Sequence, residues 1–261
     1  MNNKPYFGLW MLLATALAVF VGVSLVSPVE IFGVELQKAT FVDVLSAPAE
    51  VPTAHKTAPA TVKKPQKHQR AQLDTTSKTI LFIGDSMLEG LSPRLAAYTR
   101  HNGHTLYTVI WYSSTTEVWG SSDKLKHYIN KYHPDYVFVC LGANELFVRD
   151  IATKRACYVD NMLRQIGTIP YVWIGPPNWK KDTGINQLIA SKVKPGCFFL
   201  SDGMKFERSH DGAHPTRTSS ALWMDSVARW VELHSAHPIR LKKPARVNAR
   251  ANRVEVLQPK R

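Results

Sequence analysis

The chain has 261 residues, 44% of them hydrophobic, which allows a substantial buried core and suits one domain with extensions better than two. Cys140, Cys157 and Cys197 show no CxxC or Cys/His spacing, so neither a disulfide framework nor a zinc site is indicated, and Cys140 inside "YVFVCLG" reads as a small buried hydrophobe. The formal charge of +13 is unevenly placed: residues 79–239 are only about +3, whereas 44–78 carry +4, 240–261 carry +7 and 1–43 carry −1.

From the N-terminus, residues 6–26, "YFGLWMLLATALAVFVGVSLV", hold no charge. As a helix they would extend roughly 31 Å, against a hydrocarbon core of about 30 Å. Lys4 lies before the run, and Glu30, Glu35 and Asp43 lie after it, a bias that puts the N-terminus in the cytoplasm and the remainder outside. The expectation is a retained signal anchor within residues 1–43. A cleaved signal peptide competes with it, although small-residue sites such as "ATALA" fall inside the apolar run.

Residues 44–78 are rich in Ala, Pro, Thr and Lys and nearly empty of large apolar groups, the composition of a disordered tether. Strands and amphipathic segments then alternate. Strands are expected at 79–83, 105–112, 136–142, 171–175 and 197–201, most of them continuous apolar runs of the kind buried on both faces. Helices are expected near 87–101, 122–132, 156–169, 186–193 and 218–233, the last with Leu222, Val227, Trp230 and Val231 on its buried face. This alternation predicts an α/β fold over 79–239, a three-layer α/β/α sandwich around a five-stranded parallel sheet. Residues 240–261 read as a basic tail, suited to an anionic surface such as phospholipid or acidic glycan, or simply to a solvated end.

In such sheets, sites form at the carboxyl ends of strands. Ser86 follows the first strand in "TILFIGDSMLEG", where a serine is also a common helix cap. Asn144 follows the third strand in "LGANELF", and Asp211 and His214 follow the fifth in "DGAHPT". Together these are the groups that acyl transfer needs. A serine hydroxyl requires a base, an imidazole that titrates near neutrality can serve, and a carboxylate on its far nitrogen fixes the tautomer. An amide beside the serine can bind the oxyanion of the tetrahedral intermediate.

"IGDSM", "LGANE" and "DGAHP", in this order and spacing, resemble blocks I, III and V of the SGNH (GDSL-type) hydrolases, over roughly residues 79–235. The resemblance implies a flavodoxin-like sandwich, with Ser86 as nucleophile, His214 as base, Asp211 as its orienting acid, and Asn144 with the Ser86 N–H in the oxyanion hole. Two positions depart from the family pattern. The usual block II glycine is replaced within "YSSTT" by Ser113 or Ser114, register favouring Ser114, and Glu145 stands where Asp is commoner.

The expected activity is a serine esterase acting on acyl, chiefly acetyl, esters of a cell-envelope or imported polysaccharide. An O-acetyltransferase with the same triad and an inactive envelope-binding module are the alternatives. Loop aromatics Tyr112, Trp119, Phe147 and Trp179 are candidate sugar platforms, with packing as their other reading. No metal-ligand cluster and no phosphate-binding glycine loop occurs, so no metal, nucleotide or other cofactor is expected, and an exported domain is not expected to meet nucleic acid.

Overall fold

The computed structural model describes residues 71–259, together with 11–13, 15, 30–31 and 34–35 nearer the N-terminus. The chain divides into two units, Met1–Pro65 and Gln66–Arg261. Most of the expected anchor (6–26) and of the expected tether (44–78) lies outside the described residues; among those that are described, no helix is long and apolar enough to cross a membrane. In the first unit Glu30–Ile31 pairs antiparallel with Val34–Glu35.

The second unit runs β1 (Thr79–Gly84), α1 (Leu88–Asn102), β2 (Thr105–Trp111), α2 (Thr116–Gly120), α3 (Lys124–Tyr132), β3 (Tyr136–Cys140), α4 (Ile151–Ile166), β4 (Tyr171–Ile174), α5 (Ile185–Lys192), β5 (Phe198–Phe199), α6 (Arg217–His234) and β6 (Arg253–Leu257). All strands pair in parallel, in the order β5-β4-β3-β1-β2-β6. Strand alternation splits the core between the two faces. Ile80 and Phe82 pack under Leu91, Leu95, Trp223 and Val227 from α1 and α6, while Leu81 and Ile83 pack under Trp119, Leu125, Val159 and Ile189 from α2 to α5. The expected α/β/α sandwich therefore forms, with six strands.

The sixth strand corrects the reading of 240–261 as a free tail. Arg-Val-Glu-Val-Leu alternates β-branched with polar residues, and Tyr107 to Trp111 of β2 offers it an open edge. Asn252 locks it there: its N–H donates to the Leu106 carbonyl and its Oδ1 accepts from the Leu106 N–H, both at 2.9 Å. Two of the segment's cations are also paired, Lys243 with Asp225 at 2.8 Å and Arg253 with Glu255 at 3.5 Å. The end of the expected tether is structural too, because Asp74 donates its N–H to Pro238 and accepts one from Arg240.

Two further expectations fail for physical reasons. Leu222 on α6 is 58% exposed, whereas Val227 and Val231 are buried as expected, Trp230 packs at the core's edge, and Trp223 and Met224 complete the buried stripe. The last core strand is only two residues long, since Leu200 turns outward into the loop that leads to the site. Cys140 and Cys197 are buried and Cys157 exposed, all three unpaired.

Candidate active site

The sheet order changes direction between β1 and β3, and the crevice at their carboxyl ends is where such folds bind ligands. Gly84 lets the two strands meet there, for a Cβ at that position would lie 2.2 Å from the Cys140 carbonyl oxygen. The chain then delivers Asp85 and Ser86 at the rim. Ser86 does not cap α1. The first turn is held instead by the Asp85 side chain, which accepts the Met87 N–H at 2.9 Å, leaving the Ser86 hydroxyl free to face across the crevice.

Opposite it, residues 207–216 form a self-contained loop. Ser209 N–H donates to the His214 carbonyl at 2.8 Å and Thr216 N–H to Glu207 at 2.9 Å, while the Thr216 hydroxyl caps α6 by accepting the Ser219 N–H. One oxygen of Asp211 accepts the N–H groups of Ala213 and His214, each at 2.9 Å, and the other lies 2.6 Å from His214 Nδ1. Those donors, the His214 backbone N–H foremost, hold the Asp211 carboxyl well below the usual range, so it is an acceptor only. Nδ1 must then carry the imidazole hydrogen, which leaves Nε2 as the acceptor for the Ser86 hydroxyl 2.8 Å away. Ser86, His214 and Asp211 thus form one continuous hydrogen-bonded chain.

The amide that the sequence put beside the serine is also present. Asn144 follows β3 in a short 3₁₀ turn entered through Gly142, whose φ of +121° suits glycine. Its Nδ2 donates to the Ser114 carbonyl at 3.0 Å and makes only a loose 3.5 Å contact with Asp85 Oδ2, a contact that a substrate oxygen can replace.

The block II assignment is corrected by one residue. Ser114 is buried, and its N–H is spent on the Trp111 carbonyl at 3.1 Å, closing a turn whose third position is Ser113 at φ +54°. A turn of that form favours glycine at its third position, which is the residue the family pattern led one to expect. Ser113, not Ser114, lines the crevice, and among the described residues the N–H groups of Ser86 and Ser113 have no hydrogen-bond partner.

Glu145 and Asp85 carry functions the sequence reading missed. Fully buried Glu145 accepts from the Thr116 N–H at 2.9 Å, the Thr116 hydroxyl at 2.7 Å and Arg155 Nε at 2.8 Å, tying the loop after β3 to the loop after β2. Burial raises its pKa despite those donors. Asp85 is also fully buried, and burial pushes its carboxyl up to about 7, opposed by the Met87 N–H and the charge of His214.

The aromatic platforms fare differently from the polar residues. Trp119 is wholly buried, its indole N–H on the Ser114 hydroxyl at 3.0 Å and its ring edge-on to Trp111. Trp179 is half-buried, donates to the Ala143 carbonyl at 3.0 Å and carries Lys180 over its ring. Phe147 is exposed but stands off the crevice. The ring that does line it is Tyr112, whose hydroxyl bonds Glu89. The crevice that Ser86 and His214 share with α1, the end of β2 and the C-terminal segment has a volume of about 1050 Å³, and Asn144 is not part of its lining.

Neither a family model nor a curated protein sequence matches the chain. Among solved structures it is similar to the psychrotrophic esterase EstA from Pseudoalteromonas sp., at 15% identity over 59% of this chain and 96% of that one, TM-score 0.45. A Clostridium thermocellum family 3 carbohydrate esterase is similar at 18% identity over 59% and 98%, TM-score 0.45. So is a two-domain esterase active on acetylated mannans, at 12% identity over 59% of this chain and 48% of that one, TM-score 0.46. These structural neighbours are esterases; the chemistry of the present site rests on its own side chains.

Proposed function

We propose that the protein is a serine esterase that releases acyl groups, acetyl foremost, from a polysaccharide of the cell envelope or taken up through it. The observation that carries this reading is the relay from Ser86 Oγ to His214 Nε2 at 2.8 Å and from His214 Nδ1 to Asp211 at 2.6 Å. As Ser86 attacks the ester carbonyl, Nε2 takes its proton, and the imidazolium is stabilised by Asp211. The oxyanion is held by the Ser86 and Ser113 N–H groups and Asn144 Nδ2. His214 then returns the proton to the departing alcohol, and water, deprotonated by the same nitrogen, hydrolyses the acyl-enzyme.

A sugar-bearing alcohol is favoured by the crevice lining, where Ser113, Ser209, Thr216 and Asn252 supply hydroxyl and amide groups beside one aromatic ring. Residues 6–26 anchor the chain in this reading and put the domain on the extracytoplasmic side, supported by their length and lack of charge.

Acetate release from an O-acetylated glycan by the full chain tests the activity. Wild type should release acetate with Ser86→Ala slower by a factor on the order of 10⁴ or more. Equal rates would remove the serine from the reaction, and transfer of the acetyl group to an added acceptor glycan in place of water would make the protein a transferase.

A further inference from the structure

The crevice is far larger than an acetyl group requires, so most of it must receive the alcohol half of the ester. Its far wall is made by the C-terminal segment, pinned by Asn252 to β2 and by the Ala249 N–H, which donates to the Pro93 carbonyl at 2.9 Å. That pinning brings Arg250 to the crevice, which Arg217, the first residue of α6, also lines; both residues are exposed.

Neither guanidinium has an ion-pair partner among the described residues, in contrast to Arg94, Arg155 and Arg253, each of which pairs with a carboxylate. The acids on the same crevice are engaged elsewhere, Glu89 by the Tyr112 hydroxyl and Asp211 by His214. Arg253 also lines the crevice, but its Nε is turned to Glu255. The crevice therefore holds two forked cations without an ion-pair partner among the described residues, while its acids are already hydrogen-bonded to Tyr112 and His214. An arginine fork matches the geometry of carboxylate and phosphate oxygens.

Resting on the serine-esterase reading, we infer that the preferred substrate is an anionic O-acylated glycan, whose carboxylate or phosphate groups, carried on the sugar side of the ester, pair with Arg217 and Arg250. Neutral acylated glycans lack the groups that these two side chains would bind. The interaction is in open solvent and weakens with salt.

The test measures kcat/KM of the full chain on three O-acetylated polymers, a polygalacturonate, a phosphomannan and a neutral mannan, at low and at physiological ionic strength. A preference for either charged polymer over the neutral one is expected, and which of the two leads says whether carboxylate or phosphate is read. The charged-to-neutral ratio should fall by about two- to five-fold in Arg217→Gln and again in Arg250→Gln, chiefly through KM, the size expected for exposed ion pairs. Added salt should compress the wild-type ratio and leave that of the double variant unchanged. The inference is overturned if the wild type treats charged and neutral polymers alike, or if the ratio survives both substitutions. Ser86→Ala run alongside separates the two proposals. An inert Ser86→Ala alongside a wild-type charged-to-neutral ratio of one defeats this inference alone, whereas an active Ser86→Ala defeats the serine mechanism itself.

Discussion

The two sides of the candidate site are built in opposite ways. Ser86 and Asn144 stand at the ends of β1 and β3, over residues with no solvent exposure, and are held by a buried polar lattice of Asp85, Thr116 and Glu145. His214 and Asp211 sit on an exposed loop, their side chains 34% and 49% accessible, fixed by hydrogen bonds made almost wholly within residues 207–216. Ser86 is thus positioned by the whole core and His214 by a local turn. Substitutions on the loop should cost rate with little stability, and those on the sheet side should cost stability as well.

The sharpest break in that contrast comes from Asp211→Asn. The amide keeps an acceptor for the loop N–H groups but presents a donor to Nδ1, which moves the imidazole hydrogen to Nε2 and removes the base. Turnover of a p-nitrophenyl ester should fall on the order of 10²- to 10⁴-fold with the thermal midpoint nearly unchanged. A parallel collapse in thermal stability would show that the loop is not the independent unit described.

On the sheet side, Glu145→Ala leaves Arg155 and the Thr116 donors without their buried acceptor, and should destabilise by about 3–5 kcal/mol, read by denaturant unfolding. Glu145→Gln, which keeps one acceptor, should lose less. Near wild-type stability for the alanine variant would mean that the two loops are held by something else.

Asp85 sharpens the comparison through pH. Its ordinary value of 3.8 is raised to about 7 in the fold. Between those values the folded state retains a proton that the unfolded chain has released, so this group's contribution to stability is present below pH 3.8 and is lost as pH rises to 7. Asp85→Asn does not titrate. Its stability relative to wild type should rise from pH 4 to pH 8 by on the order of 2–4 kcal/mol, and a constant difference across that range would contradict a buried, protonating carboxyl.

The smallest effect belongs to Ser113, which holds a left-handed backbone at φ +54°. Ser113→Gly should gain up to about 1 kcal/mol of stability and preserve turnover, because the N–H it offers to the crevice is a backbone group. A loss of turnover would assign the side chain a part that the geometry does not give it.

The contrast also explains what the sequence disclosed. The strands were legible because runs such as Ile80 to Ile83 are apolar at every position, which is what burial on both faces requires. Asp211 and His214 were legible because a turn that pairs them is local, three residues wide. Less visible were features that depend on distant partners. The acid flanking Ser86 reads as an ordinary loop residue until β3 covers it, and Trp119 reads as a surface ring until Trp111 closes on it. The last strand was hidden by the basic residues around it, whose charge masks the Val254–Val256 alternation that pairs with β2. The one-residue error at block II has the same origin, because only the turn geometry distinguishes Ser113 from Ser114.

The activation of Ser86 by His214 is tested most directly by mapping a fluorophosphonate adduct on the full chain by mass spectrometry. The account predicts one adduct, on Ser86, formed rapidly in wild type and suppressed in His214→Ala. Absence of labelling, an adduct on another residue, or undiminished labelling without the imidazole would contradict it.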